Sequence, residues 1–203
     1  MREMKRATRA GVRPDERRLR GAARRFLEAI GDRSLARDQR RTPDRVAAAW
    51  AREILSGYAA EPAAILRTGF ASKERGLVVV RDIPFVSVCV HHLLPFQGVA
   101  HVGYLPGGRI VGLSKIARLV DALSRRLQLQ ERLTRQVTDH LDAALLPRGS
   151  ACRMEAEHLC MSVRGARKRG ARVITMAWSG VFDRGAALRA EFLRLTSPAR
   201  SPR

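Results

Sequence analysis

From Leu77 onward the apolar residues change period twice, and that order decides what class of fold the chain can adopt. Leu77-Val78-Val79-Val80 and Val86 to His91 read as strands, or as one bent strand interrupted at Pro84. Val99 to Leu105 reads as another, ending at the turn Pro106-Gly107-Gly108. Ile116, Leu119, Val120 and Leu123 then recur at helical spacing. Leu133, Val137, Leu141 and Leu145 do the same, and Pro147-Arg148-Gly149 ends that second helix. Strand period returns over Cys152 to Val163 and Val173 to Val181, and Ala186 to Leu195 reads as a closing helix. Strand, strand, helix, helix, strand, strand is an α+β pattern. It predicts a four-stranded antiparallel sheet with a helix pair on one face.

Helices precede this sheet. Residues 1–17 are basic, polar and without apolar period, and read as a flexible tail. Residues 18–60 form an N-terminal helical region, with Leu19, Ala22, Ala23, Phe26, Leu27 and Ile30 on one stripe and Gly31 as its stop. Thr42 is the expected N-cap of a second helix, with Pro43 in its first turn, Val46, Trp50 and Ile54 on its stripe and Gly57 at its close. The domain that carries the sheet then spans 61–197, and 198–203 is a short C-terminal tail.

Chemistry-bearing residues gather in two places. Ser87, Cys89 and His91 share one face of a β-like stretch, with His92 just past its end, and His158 and Cys160 share a face of another. Cys89, His92 and Cys160 together make a Cys₂His set. Three protein ligands leave a fourth tetrahedral position open, as in catalytic zinc sites, and such a metal turns water into a nucleophile near neutral pH. His91 and His158 would stand beside it as acid–base groups. Two plainer readings compete: buried cysteines that only pack, and a Cys89–Cys160 disulfide. Met1 to Arg25 is rich in arginine and has no apolar run, so no signal peptide is read there. A reducing, cytoplasmic compartment follows, which favours metal binding over the disulfide.

The chain has 203 residues and a formal net charge of +20. No stretch approaches the roughly 20 apolar residues that span a bilayer. Among 39 basic residues only Lys5, Lys73, Lys115 and Lys168 are lysines, and the charge is dispersed. That is the mark of an arginine-rich codon usage more than of a surface that follows nucleic-acid phosphates. With aromatics at 5%, stacking platforms are scarce. A basic nucleic-acid-binding protein is therefore the remote alternative, and an anionic small substrate fits the charge as well.

Two helix starts carry further candidates. Ser114 could cap the helix that begins near Gly112, with Lys115 and Arg118 on one edge beside its anion-attracting end. The result is either a phosphate cradle or an ordinary solvated basic face. Gln130-Glu131-Arg132 heads the next helix. Glu131 either answers the helix dipole or grips a guanidinium-like edge through two hydrogen bonds.

Taken together, Cys89 to Pro95, Gly103 to Pro106, Gly112 to Arg118, Arg125 to Thr134, His158 to Gly165, Gly180-Val181-Phe182 and Glu191-Phe192-Leu193 resemble the GTP cyclohydrolase I family. The resemblance runs from about Thr42 to Leu195. It implies the tunnelling fold, a homo-oligomer built as a decamer of two pentamers, and zinc at the subunit interface. The implied reaction converts GTP to 7,8-dihydroneopterin triphosphate with release of formate, the first step of tetrahydrofolate and pterin biosynthesis. By position, zinc falls to Cys89, His92 and Cys160, and proton shuttling to His91 and His158. Glu131, helped by Gln130, anchors guanine, and Ser114 touches the ribose. Lys115, Arg118 and Arg164 hold the triphosphate, with Arg45 reaching in from another subunit.

Two departures stand out. Val90 replaces a glutamate usual in the family, and strand alternation turns it away from Cys89 and His91. Val173-Ile174-Thr175-Met176-Ala177 is apolar where the family tends to carry several hydroxyls, with Thr175 the one retained. Both support the alternative of a paralogue opening the purine ring of a related nucleotide. Cys152 falls where the family has small apolar residues and reads as strand packing.

Overall fold

The computed structural model describes residues 12–34 and 36–197. Most of the 1–17 tail and the whole 198–203 tail therefore lie outside the described residues. The chain divides between Glu61 and Pro62 into two compact units.

The first unit is helical. Asp15 opens α1 (Glu16–Ile30) by accepting a hydrogen bond from the Arg18 N–H at 3.0 Å, so the helix begins inside the stretch expected to be tail. Gly31, at φ 75°, ends it in the left-handed conformation that glycine adopts without strain. After a short α2 (Ala36–Gln39) comes α3 (Thr42–Ala49). Arg41, not Thr42, holds the N-cap position, and no side chain caps that helix; Pro43 sits in its first turn as expected. The helix does not stop at Ala49 but runs on as a π-helical turn, Trp50–Ile54, with Gly57 in the 3₁₀ turn Ser56–Tyr58 that follows. Glu16 accepts two hydrogen bonds from Arg52 at 2.8 and 3.0 Å, and Arg20 pairs with Asp44 at 2.8 Å, tying α1 to the second helical segment.

The second unit runs α4 (Pro62–Leu66), β1 (Phe70–Ala71), β2 (Val78–Cys89), β3 (Pro95–Leu105), β4 (Arg109–Ile110), α5 (Leu113–Ser124), β5 (Leu127–Gln128), α6 (Gln130–Leu145), β6 (Gly149–His158), α7 (Leu159–Ser162), β7 (Arg172–Trp178), α8 (Val181–Arg184) and α9 (Ala186–Thr196). The four expected strands pair antiparallel in the order β2-β3-β6-β7. The sheet has five strands rather than four, because β5 joins the outer edge of β2 in parallel. Two residues cannot display a period, so β5 is invisible to pattern reading. The same holds for the separate β1–β4 ribbon.

β2 is a single strand, and its irregularity lies at Arg81-Asp82, not at Pro84, which pairs regularly with Val99. Asp82 takes φ 58° and its backbone N–H donates to His101 Nδ1 at 3.2 Å. Aspartate is one of the few side chains that tolerate this region. Helices α5 and α6 cover one face of the sheet, burying Ile116, Leu119, Leu123, Leu133, Val137 and Leu141 against Phe96, Val102 and Met154. On the other face Phe192 of α9 packs with Phe182 and Trp178. A Cβ on Gly103 would come within 2.8 Å of the Phe192 ring, so only glycine lets α9 lie this close. Cys152 is wholly buried in the sheet, as its packing role requires.

Candidate active site

The site forms where β2 ends, β3 begins and β6 runs out. After Cys89 the chain turns tightly: Leu93 donates to the Cys89 carbonyl and Cys89 to that of Leu94, both at 2.9 Å. This turn carries His91 and His92 outward into solvent. Val90 lies in the turn itself, its N–H bonded to the Gln128 carbonyl at 3.1 Å and its side chain exposed. It is therefore not an alternating strand residue.

Opposite, β6 pairs with β3 up to Phe96↔His158 and no further. The next residue of β3 is Pro95, which has no N–H to offer a ladder. The strand expected to continue to Val163 gives way to the helical turn α7, so Cys160 is presented from a helix and not from the face of His158. The donor atoms of Cys89, His92 and Cys160 nevertheless all lie within 4.8 Å of one another. All three cysteines are free thiols. Burial raises the Cys160 thiol above its ordinary range, and the adjacent Cys89 raises it further, against a weaker pull from Arg164. Two sulfurs crowded together and short of positive charge form a donor set that suits a thiophilic cation.

Around this triad stand the histidines. His91 Nδ1 is 3.8 Å from Cys89 Sγ, and its ring meets that of His92 edge to face at 6.3 Å. The ring of His158 lies flat on Phe96, with centroids 4.5 Å apart and planes 6° from parallel. Its Nε2 is 2.7 Å from Gln130 Oε1. Burial lowers the His158 pKa, only partly opposed by Glu131 nearby.

Gln130 differs from the expectation. It is 1% exposed, and its amide nitrogen contacts the carbonyls of Val173 at 3.0 Å and Met154 at 3.3 Å and the Thr175 hydroxyl at 3.1 Å. Its side chain is thus engaged by the protein. Glu131, next on α6, is exposed in the first turn of that helix.

The remaining candidates are more dispersed. Ser114, Lys115 and Arg118 lie in the first turns of α5, but the N-cap is Gly112 and Ser114 makes no cap. Ser114 and Arg118 are exposed and Lys115 is half-buried. Arg164 begins the exposed loop after α7. Arg45 lies exposed on α3, in the first unit. Pattern reading missed Phe96 and Thr134, whose importance appears only once β3 is paired with β6 and α6 is packed on β7. Thr175 carried a signal as the lone hydroxyl of an apolar strand.

The family model of GTP cyclohydrolase I matches residues 19–197. The chain is similar to the GTP cyclohydrolase 1 of Dehalococcoides mccartyi (strain ATCC BAA-2266 / KCTC 15142 / 195), at 45% identity over 183 residues covering 89% of this chain and 96% of that protein. It is also similar to the GTP cyclohydrolase 1 of Mycobacteroides abscessus and to that of Mycobacterium leprae (strain Br4923). Each of these is 50% identical over 183 residues, covering 89% of either chain.

Proposed function

The chain belongs to the GTP cyclohydrolase I family, and on that footing we propose that it opens the imidazole ring of GTP at C8, releases that carbon as formate and delivers 7,8-dihydroneopterin triphosphate. The observation that carries this reading is the convergence of Cys89, His92 and Cys160, with His91 beside Cys89 and His158 at the end of the strand that leads to Cys160.

The residues divide the work by chemistry. Cys89, His92 and Cys160 fit zinc, since thiolate and imidazole are its usual ligands and three of them leave a place open. When bound there, zinc supplies Lewis acidity and a water nucleophile near neutral pH. His158, kept neutral by its burial, is suited to accept and return a proton at the guanine imidazole ring. His91, exposed beside Cys89, would make the second transfer as the formyl group leaves. Glu131 offers two acceptor oxygens to the guanine N1–H and 2-amino group. Ser114 would meet the ribose, and Lys115, Arg118 and Arg164 the triphosphate, with Arg45 of another subunit adding a further phosphate contact.

The two departures from the family pattern do not touch these groups. Val90 is exposed in the turn and is not one of the three grouped donors. Ile174 and Met176 are 49% and 43% exposed on the open face of β7, while Thr175 turns inward to Gln130. Those apolar residues, with Val86 at 55%, fit a sheet completed by other copies of the chain, and so the tunnelling fold and a decamer of two pentamers. Three free thiols fit a cytoplasmic setting. No described helix is long and apolar enough to cross a membrane. The test is direct: incubate the zinc-loaded protein with GTP, measure formate, and look for pterin fluorescence after oxidation. Absence of both products would refute the reading.

A further inference from the structure

Gln130 and its partners form a closed set of hydrogen bonds whose polarity can be worked out atom by atom. The Thr134 hydroxyl donates to the Gln130 backbone carbonyl at 2.7 Å. Its only hydrogen is thereby spent, so the 2.6 Å contact with Thr175 must be a donation from the Thr175 hydroxyl to Thr134 Oγ1. Thr175 Oγ1 is then left as an acceptor, facing the Gln130 amide at 3.1 Å. The same end of that amide faces the carbonyls of Val173 and Met154, which can only accept. The end of the Gln130 side chain facing Thr175 and β7 is therefore the NH₂, and a flipped amide would set oxygen against three acceptors. Oε1 is left for His158, and a carbonyl oxygen 2.7 Å from Nε2 requires a hydrogen on Nε2. Phe96, fully buried and stacked on the ring, holds the imidazole plane in line with this bond.

We propose that Gln130 is a positioning residue which, held by Thr175 and Thr134, keeps hydrogen on His158 Nε2 and so makes Nδ1 the nitrogen that exchanges protons with the substrate. The last clause rests on the cyclohydrolase reading; the assignment of the Nε2 hydrogen does not. The inference moves Gln130 from the guanine site to the support of a histidine, and explains why a threonine persists in an otherwise apolar β7.

Two measurements test it. Magic-angle-spinning NMR of the zinc-loaded, full-length protein with ¹⁵N-labelled histidine, at about pH 8 where an imidazole is neutral, reads the tautomer without any variant. The His158 signals are identified by their loss in His158→Ala. A pyrrole-type Nε2 and a pyridine-type Nδ1 are expected. The reverse pattern, or an even mixture, overturns the proposal. The second measurement is kinetic. Gln130→Met keeps length but neither holds the imidazole nor bonds β7. It should mix the two tautomers and lower kcat about 10- to 1,000-fold, short of the roughly 10⁴-fold cost of a wrongly held catalytic tautomer. The KM for GTP should stay within about twofold. A raised KM with kcat preserved and the tautomer unchanged would instead make Gln130 a guanine contact, and overturn the inference. Should that variant fail to fold, the tautomer of the unaltered protein still decides. A correct tautomer in a protein that releases no formate from GTP would sink the reaction and leave the Nε2 assignment standing.

Discussion

Serine in place of Cys160 should strip the protein of its metal, and the size of the loss follows from the donor set. On the proposed ligand set three groups would supply the binding: Cys89 and His92 from one turn, and Cys160 from α7. Small zinc sites bind with about 10–16 kcal/mol at neutral pH, so each of three donors carries roughly 3–5 kcal/mol of it on an even division. At about 1.4 kcal/mol per tenfold, losing one weakens binding by roughly 10²–10⁴-fold. The lower end is expected. In the metal-free protein burial and Cys89 hold the Cys160 thiol protonated, and part of its contribution goes into removing that proton. Equilibrium dialysis against graded chelator, with metal counted per subunit, measures the shift. The unaltered protein should hold about one zinc per subunit, as a single Cys₂His set allows. Cys152→Ala should retain it, since Cys152 lies in the core and outside the donor group. If Cys160→Ser binds zinc as tightly as the unaltered protein, the proposed ligand set is wrong.

His158→Ala and His91→Ala should keep zinc yet lose about 10²–10⁴-fold in turnover; near-normal formate release from either variant would cancel its acid–base role. Glu131→Gln should weaken GTP turnover severely, and ATP should be ignored, because adenine leaves the carboxylate unpaired; comparable turnover of ATP speaks against Glu131 as the base anchor. Burial, then Arg153 and Arg81, hold the His101 pKa below its ordinary value against the opposing pull of Asp82 and Glu155. The unfolded chain therefore binds this proton first, and the contribution of His101 to stability is complete above about pH 6.5 and fades as pH falls through the folded-state value. His140 and His158 shift the same way, so the comparison is with His101→Asn, whose thermal midpoint should fall less steeply below that pH; parallel curves would remove the assignment. If neighbouring subunits complete the phosphate site, specific activity should drop on dilution below the assembly concentration and GTP binding should weaken in high salt. Constant activity in a monomer confirmed by light scattering would end the shared-site model.

The long elements are readable because each carries its period over many residues: α6 covers the expected Leu133 to Leu145, and β6 begins three residues before the expected Cys152, though it ends at His158 and not at Val163. What escaped was either too short to have a period or set by partners far along the chain. β5 exists because the backbone between α5 and α6 happens to lie beside Val88 and Cys89. Residue chemistry groups the candidate metal donors, but how each is presented depends on distant pairing. Cys160 reaches the site from a helical turn because Pro95 cannot extend the β3–β6 ladder, which no local pattern at 158–160 reveals. The family resemblance gives Gln130 a share in anchoring guanine. Only the packing of α6 against β7 shows its amide facing Thr175 and its oxygen facing His158.

The donors reach the site at different times as the chain is made. Cys89 and His92 are synthesised together and can meet metal on a nascent chain, whereas Cys160 follows only after β3, α5 and α6. Closing so long a loop is entropically slow, so the half-made site passes through a stage with one thiolate, one imidazole and no enclosure. During that stage selection among metals depends on supply more than on geometry, and copper, which such ligands hold more tightly than zinc, is the competitor to exclude. Production in copper-replete cells should then yield a wrongly loaded fraction that zinc added to the finished protein does not readily displace.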